Sequence, residues 1–207
     1  MTLSAKMGLM AALLILGAAG GPAWAQFPPP RGTSVEQLIA HFRAVDILVG
    51  ETSADGKWLM VRHPPSALTC RLPADGEQNL LAVQFPGSER GKDITCSWME
   101  GKTGIRIWAS PAEGRTAAEG LAAELQETNA SPSEVTPYEG PARTTLPDGV
   151  VEGSIVNDGL VHRLAMFENR GWLILMDVAY YPDNAAEGQQ IDERVLRDLV
   201  ADTRATR

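Results

Sequence analysis

The residues of this chain that can do chemistry are few, and their spacing limits what that chemistry can be. "CSWMEGKTG", residues 96 to 104, contains Gly101-Lys102-Thr103, the tail of a nucleotide-binding P-loop. A P-loop is G-x-x-x-x-G-K-[ST], set between a strand and a helix, with backbone N–H groups cradling the phosphates. Here Cys96 occupies the place of the first glycine, and Thr103 is followed by "GIRIWAS", a strand pattern. A β-carbon and thiol obstruct the phosphate nest, and no helix N-terminus follows to face an anion. The stretch therefore predicts a polar hairpin turn, with no nucleotide and no other cofactor bound.

His41, His63 and His162 are too far apart for a local metal motif, and two cysteines cannot complete a four-ligand zinc site, so no metal site is read. Asp177 is the polar intruder in "WLILMDVAY", on the strand face that carries Leu173, Leu175 and Ala179. A partly buried carboxylate needs a partner. One reading joins Asp177 to His162 and a serine such as Ser154 in an exported hydrolase, since triads are defined by geometry and not by chain order. No Gly-x-Ser-x-Gly elbow surrounds any serine, and "PGSERG" has the wrong spacing. The other reading, taken here, makes Asp177 architectural, bonded to an arginine such as Arg163 or Arg170. Trp108 lies beside Arg106 on the face opposite Ile105 and Ile107, either under a helix or open as a contact patch. Trp108, Arg106, Asp177 and His162 form the candidate patch, and no residue is assigned to catalysis.

The elements that must carry these residues are legible from their stops. Thr33 with Glu36, or Ser34 with Gln37, forms a capping box for a first helix with Val35, Leu38, Ile39 and Phe42 on one face. "VDILVGETSADGKWLMV" reads as a hairpin around an Asp-Gly turn. "KWLMVRH", "LTCRL", "NLLAVQF", "DITCSWM" and "IRIWAS" are short strands between Pro and Gly stops. Thr116 and Glu119 cap a second helix with a stripe of Ala118, Leu121, Ala122 and Leu125. Residues 131 to 149, with four prolines, read as a long loop with some extended pieces. "VVEGSIV", "LVHRLAMF" and "WLILMDVAY" form a meander, the third strand central because it is apolar on both faces. A last helix starts near Asn184, with Glu187 completing a third capping box. It buries Ile191, Val195, Leu199 and Val200 and turns Asp192, Arg194, Arg197 and Asp198 to water. Runs of strands between helices give an α+β fold, one twisted antiparallel sheet packed by two or three helices.

The first 25 residues read as a secretory signal: Lys6, an uncharged apolar run from Met7 to Ala19, and Ala23-Trp24-Ala25 before the cut. The run is shorter than the roughly 20 residues that span a bilayer. Retention of the segment as a membrane anchor is the alternative. Residues 26 to 32 are a Pro-rich leader, and 33 to 207 a single domain. Loss of Lys6 leaves 17 basic residues against 26 acidic, a net charge of −9. That balance disfavours nucleic acid and anionic membrane surfaces as partners. No later segment is apolar enough to span a membrane. Two cysteines in an exported chain read as one disulfide, Cys70–Cys96, each thiol sharing a strand face with apolar neighbours.

The C-terminal third, "GLVHRLAMFENRGWLILMDVAYYP" followed by a helix, resembles the closing hairpin and helix of the PsbP/Mog1-like proteins, in element order over about half the chain. That resemblance implies an accessory or binding role over an enzymatic one, and it transfers no site residue. The chain is expected to be a periplasmic or secreted binding or accessory protein, with an envelope or extracellular protein or a small ligand as partner. The alternatives are the Ser154–His162–Asp177 hydrolase and a structural envelope component. The oligomeric state is not legible.

Overall fold

The computed structural model describes residues 32–75, 80–82, 89–129 and 135–205. The expected signal segment, the leader up to Arg31, both ends of "NLLAVQF" and the start of the expected loop 131–149 lie outside them. The first helix, α1 (Val35–His41), is capped by Ser34: its hydroxyl accepts from the Gln37 N–H, and the Gln37 side chain accepts from the Ser34 N–H. Of the two expected boxes, this is the one present. Val35 and Ile39 of α1 press on Gly50, where any β-carbon would collide with them. Gly50 lies in β1 (Val49–Thr52), which turns through Ser53–Lys57 into β2 (Trp58–Arg62) and then pairs through it to β3 (Thr69–Pro73).

The remaining strands are β4 (Leu80–Ala82), β5 (Ile94–Glu100), β6 (Thr103–Pro111), β7 (Val135–Pro137), β8 (Val151–Asn157), β9 (Leu160–Asn169) and β10 (Trp172–Tyr180). They form a seven-stranded sheet in the order β4-β5-β6-β10-β9-β8-β7, with β10 central as its two apolar faces require. Every pairing among the described residues is antiparallel, so the α+β class stands. The strands divide between two sheets, however, where one was expected. Cys70 and Leu72 of β3 are buried, as are Cys96 and Trp98 of β5. The two strands meet through these faces and do not extend one ladder edge to edge. The Cys70–Cys96 disulfide staples the sheets together. Closing its 26-residue separation is worth about 3 to 4 kcal/mol in the chain-entropy model.

The large sheet is covered on both faces. On its inner face lie the small sheet, α1 and α3 (Ala185–Ala205), which join one core with Ile174, Met176, Val178 and Tyr180 of β10. On its outer face, α2 (Ala117–Asn129) packs over β8, β9 and β10 and closes a second core with Leu164, Met166, Leu173 and Leu175. The Thr116–Glu119 box caps α2 as expected. Its buried stripe is rotated from the expected one. Gly120 and Leu121 are buried, while Ala118 and Ala122 face water. Gly120 sits against Leu173 and Met166, and any side chain there would strike both. The helix therefore approaches on its glycine.

The third capping box gives way to a 3-10 turn, Pro182–Asn184, that runs directly into α3. Ile191, Val195, Leu199 and Val200 are buried as expected, but Asp192 is also fully buried and not on the wet side. At the far end of the inner face, His63 is 2 % exposed. Its ring packs edge-on against Trp172 at 4.9 Å, and Nδ1 lies 2.8 Å from the Ser66 hydroxyl. No helix among the described residues is long and apolar enough to cross a membrane.

Candidate functional site

The hairpin β5–β6 turns through Gly101 and Lys102, both exposed, with Gly101 at a positive φ of 57°. "EGKTG" is a hairpin tip, as its residue types predicted, and its Thr103 side chain is buried inside the fold. Alternation along β6 sends Ile105, Ile107 and Ala109 to the inner core, leaving Arg106 and Trp108 on the outer face. Register does the rest. Arg106 is directly opposite Asp177, and His162 is opposite Ala179, one diagonal step from Asp177 on the same face.

The four residues of the candidate patch are thereby brought together. Arg106 donates from a terminal nitrogen to Asp177 Oδ2 at 3.2 Å. His162 Nδ1 lies 3.0 Å from Asp177 Oδ1 and 3.2 Å from Oδ2. The Arg106 guanidinium lies over the Trp108 ring, 4.8 Å from its centre. Asp177 is 5 % exposed, whereas the Arg106 side chain is 53 % exposed and His162 partly so. A buried carboxylate is thus satisfied by two donors whose outer ends reach solvent. The carboxylate also fixes which imidazole nitrogen carries a proton, leaving Nε2 for another partner. Glu124 of α2 stands beside this cluster. Burial pushes its carboxyl up, while Arg106 pulls it down and Glu127 and Asp177 push it further up.

Two expectations about Asp177 are corrected. Its arginine is Arg106, not Arg163 or Arg170. Arg163 is on the inner face, buried, and donates to the Pro141 carbonyl at 3.1 Å. Ser154 also points to the wrong side. It lies opposite Arg163 in the β8–β9 ladder, whereas Ile155 lies opposite His162. Successive residues of a strand alternate faces, so the sheet itself separates Ser154 from His162 and Asp177. The proposed triad is not assembled.

Among known proteins, no family model and no curated sequence matches this chain. A solved structure does. The chain is similar to the solution structure of cyanobacterial PsbP (CyanoP) from Synechocystis sp. PCC 6803. The identity is 13 % and the TM-score 0.39, over 75 % of this chain and 92 % of that one. This is the PsbP resemblance expected from element order. No residue of the patch is carried across it.

A second polar cluster was missed. Arg143, in the loop before β8, donates to both oxygens of Asp192 at 2.8 and 2.7 Å. It also donates to Glu152 at 3.0 Å and to the Leu164 carbonyl at 2.9 Å. Arg163 approaches Asp192 from the other side at 3.7 Å. The signal for Asp192 was present, since it stands three and four residues before the buried Val195 and Leu196. Arg143 gave none, because nothing in "GPARTTLPDG" shows which loop residue turns inward. This cluster has no side-chain exposure at Arg143 or Asp192, so it clamps the loop and presents nothing to a partner.

Substitution of Asp177 reads out the outer cluster. Asp177→Asn keeps the shape but weakens two charge-assisted bonds. It should lower stability by about 1 kcal/mol and release Arg106 from its position over Trp108. Urea melts give the first effect, and the near-ultraviolet dichroism of the tryptophans gives the second. Unchanged spectra with unchanged stability would show that Asp177 does not hold the patch.

Proposed function

We propose that this chain is an exported, non-catalytic accessory protein that docks a partner protein on the outer face at Arg106 and Trp108. The observation that carries the reading is the half-exposed guanidinium stacked on a tryptophan and held from below by a buried carboxylate. Arginine and tryptophan are enriched where interfaces concentrate binding energy, and an anchored side chain loses less entropy on docking. The platform lies on a sheet face beside α2, a shape suited to a surface contact. Export rests on the apolar leader with its Ala-Trp-Ala cut site and agrees with a disulfide, which persists in oxidising compartments.

The test is co-purification from the native envelope fraction, wild type beside the Arg106→Ala/Trp108→Ala double variant. The recovered protein should begin at Gln26. The wild type should retain a partner that the folded double variant binds at least about thirtyfold more weakly, the size of one interface hot spot. Equal recovery with both proteins would remove the outer face from the interaction. An intact Met1–Ala25 segment would remove the export claim.

A further inference from the structure

Five described arginines are buried or partly shielded from solvent. Arg71, Arg143, Arg163 and Arg194 each approach a carboxylate within 4.0 Å. The fifth, Arg62 of β2, is half-buried, and its side chain bonds to no described group. A shielded guanidinium without a counter-ion is unfavourable, and its planar donors suit a carboxylate held by two bonds. Arg62 also lines a cleft of about 350 Å³, within the size range of small-molecule sites.

The cleft has a built polarity. Its floor is one face of the small sheet: Val49 and Glu51 of β1, Met60 and Arg62 of β2, and Thr69 of β3. Its wall is the end of α3, at Asp202 and Ala205. Asp202 is already engaged by Arg71, which donates to both of its oxygens at 2.6 and 2.8 Å. Glu51 is exposed and pairs with no described cation. The C-terminus of α3 adds the negative end of a helix dipole. The cleft is therefore positive at Arg62, negative toward Glu51 and the end of α3, and apolar across Val49 and Met60.

We propose that this cleft binds a small amino-acid or dipeptide zwitterion. The carboxylate sits on Arg62, the ammonium turns toward Glu51 and the end of α3, and an apolar side chain lies on Val49 and Met60. The site is separate from the Arg106–Trp108 face and stands or falls independently of it.

Calorimetry on the mature protein tests the proposal with L-alanyl-L-leucine, its C-terminal amide, its N-acetyl derivative and hexanoate. Saturable binding of the free dipeptide is expected. Arg62→Gln and C-terminal amidation should each weaken it at least about tenfold, one lost charged contact. Glu51→Gln and N-acetylation should weaken it to a smaller degree. Arg106→Ala should leave it unchanged. A dipeptide that gives no saturable heat overturns the proposal, as does full affinity in an Arg62→Gln variant whose melt matches wild type. Hexanoate binding as tightly as the dipeptide would overturn the zwitterion and leave a cleft for simple apolar acids.

Discussion

Asp192→Ala is expected to destabilise the protein by about 3 to 5 kcal/mol, the range for breaking a buried ion pair from one side. The size follows from what is left behind. Arg143 has no exposed side-chain surface and directs two of its nitrogens at Asp192. Without that carboxylate it keeps Glu152, partly exposed, and one carbonyl, from Leu164. Arg163, almost as deeply buried, keeps the Pro141 carbonyl. Two buried guanidinium charges would then be left with one peripheral carboxylate, bonded to Arg143 alone. Burial pushes the Asp192 carboxyl up and the two arginines pull it down, so much of the pair's attraction already offsets desolvation. The pair as a whole is therefore worth less than its rupture. Replacing both partners, Asp192→Leu with Arg143→Met, should recover most of the loss. In urea, with a slope near 2 kcal/mol per molar, the single variant's midpoint should fall by about 2 M. The loop holding Arg143 should also become a protease target before the core does. A midpoint within about 0.3 M of wild type would show that the clamp contributes little.

The contrast between this cluster and the outer patch shows what the sequence could and could not convey. Arg106, Trp108, Asp177 and His162 stood out because each broke or decorated a strand pattern, and period-two alternation placed them on faces. Which faces came together depended on register, and register is set by tight turns such as Asn157–Leu160 and Asn169–Trp172. One position of slip decided the fate of the triad: Ile155, not Ser154, stands opposite His162. The helices were legible through Ser34 and Thr116, whose hydroxyls accept backbone N–H groups. The helix faces were less so. The stripe on α2 turned toward Gly120 because a missing β-carbon, not an apolar side chain, allowed the closest approach. Asp192 was misplaced by its charge, although its spacing put it inside. The division into two sheets depended on β3 meeting β5 face-on, a tertiary contact that leaves no mark on either strand's own pattern. The pairing of Cys70 with Cys96 was legible, since each lay on an apolar face of its strand.

Wild-type protein should lose about 3 kcal/mol of stability to a single imidazole as pH falls from 6.5 to 4. His63 is the source. Burial drives its value down from 6.5 to about 4, and a backbone hydrogen bond to Gly91 only partly opposes this. The Ser66 hydroxyl and the edge of Trp172 complete its surroundings. The folded state therefore favours the neutral ring. In the unfolded chain the ring protonates near 6.5, so the unfolded state binds more protons throughout that window. The contribution is fully present above pH 6.5, declines by about 1.4 kcal/mol per unit below it, and is gone once pH passes the folded value. Exposed carboxyls also titrate in acid. Those of Glu36, Asp55, Glu119 and Glu193 are held low by local hydrogen bonds, so their own losses come chiefly at lower pH and are common to any variant. His63→Asn removes the titration and keeps a polar group near Ser66. It should be less stable than wild type at pH 7, yet lose about 2 to 3 kcal/mol less between pH 7 and 4.5. Urea midpoints at the two pH values measure that difference. Parallel losses in both proteins would mean that His63 stays reachable by protons in the folded state. The junction it forms between the β2–β3 turn, Gly91 and Trp172 would then be open to water. A converging pair of curves would instead place the first acid-sensitive point of the fold where the two sheets meet, far from the outer face on which Arg106 and Trp108 stand.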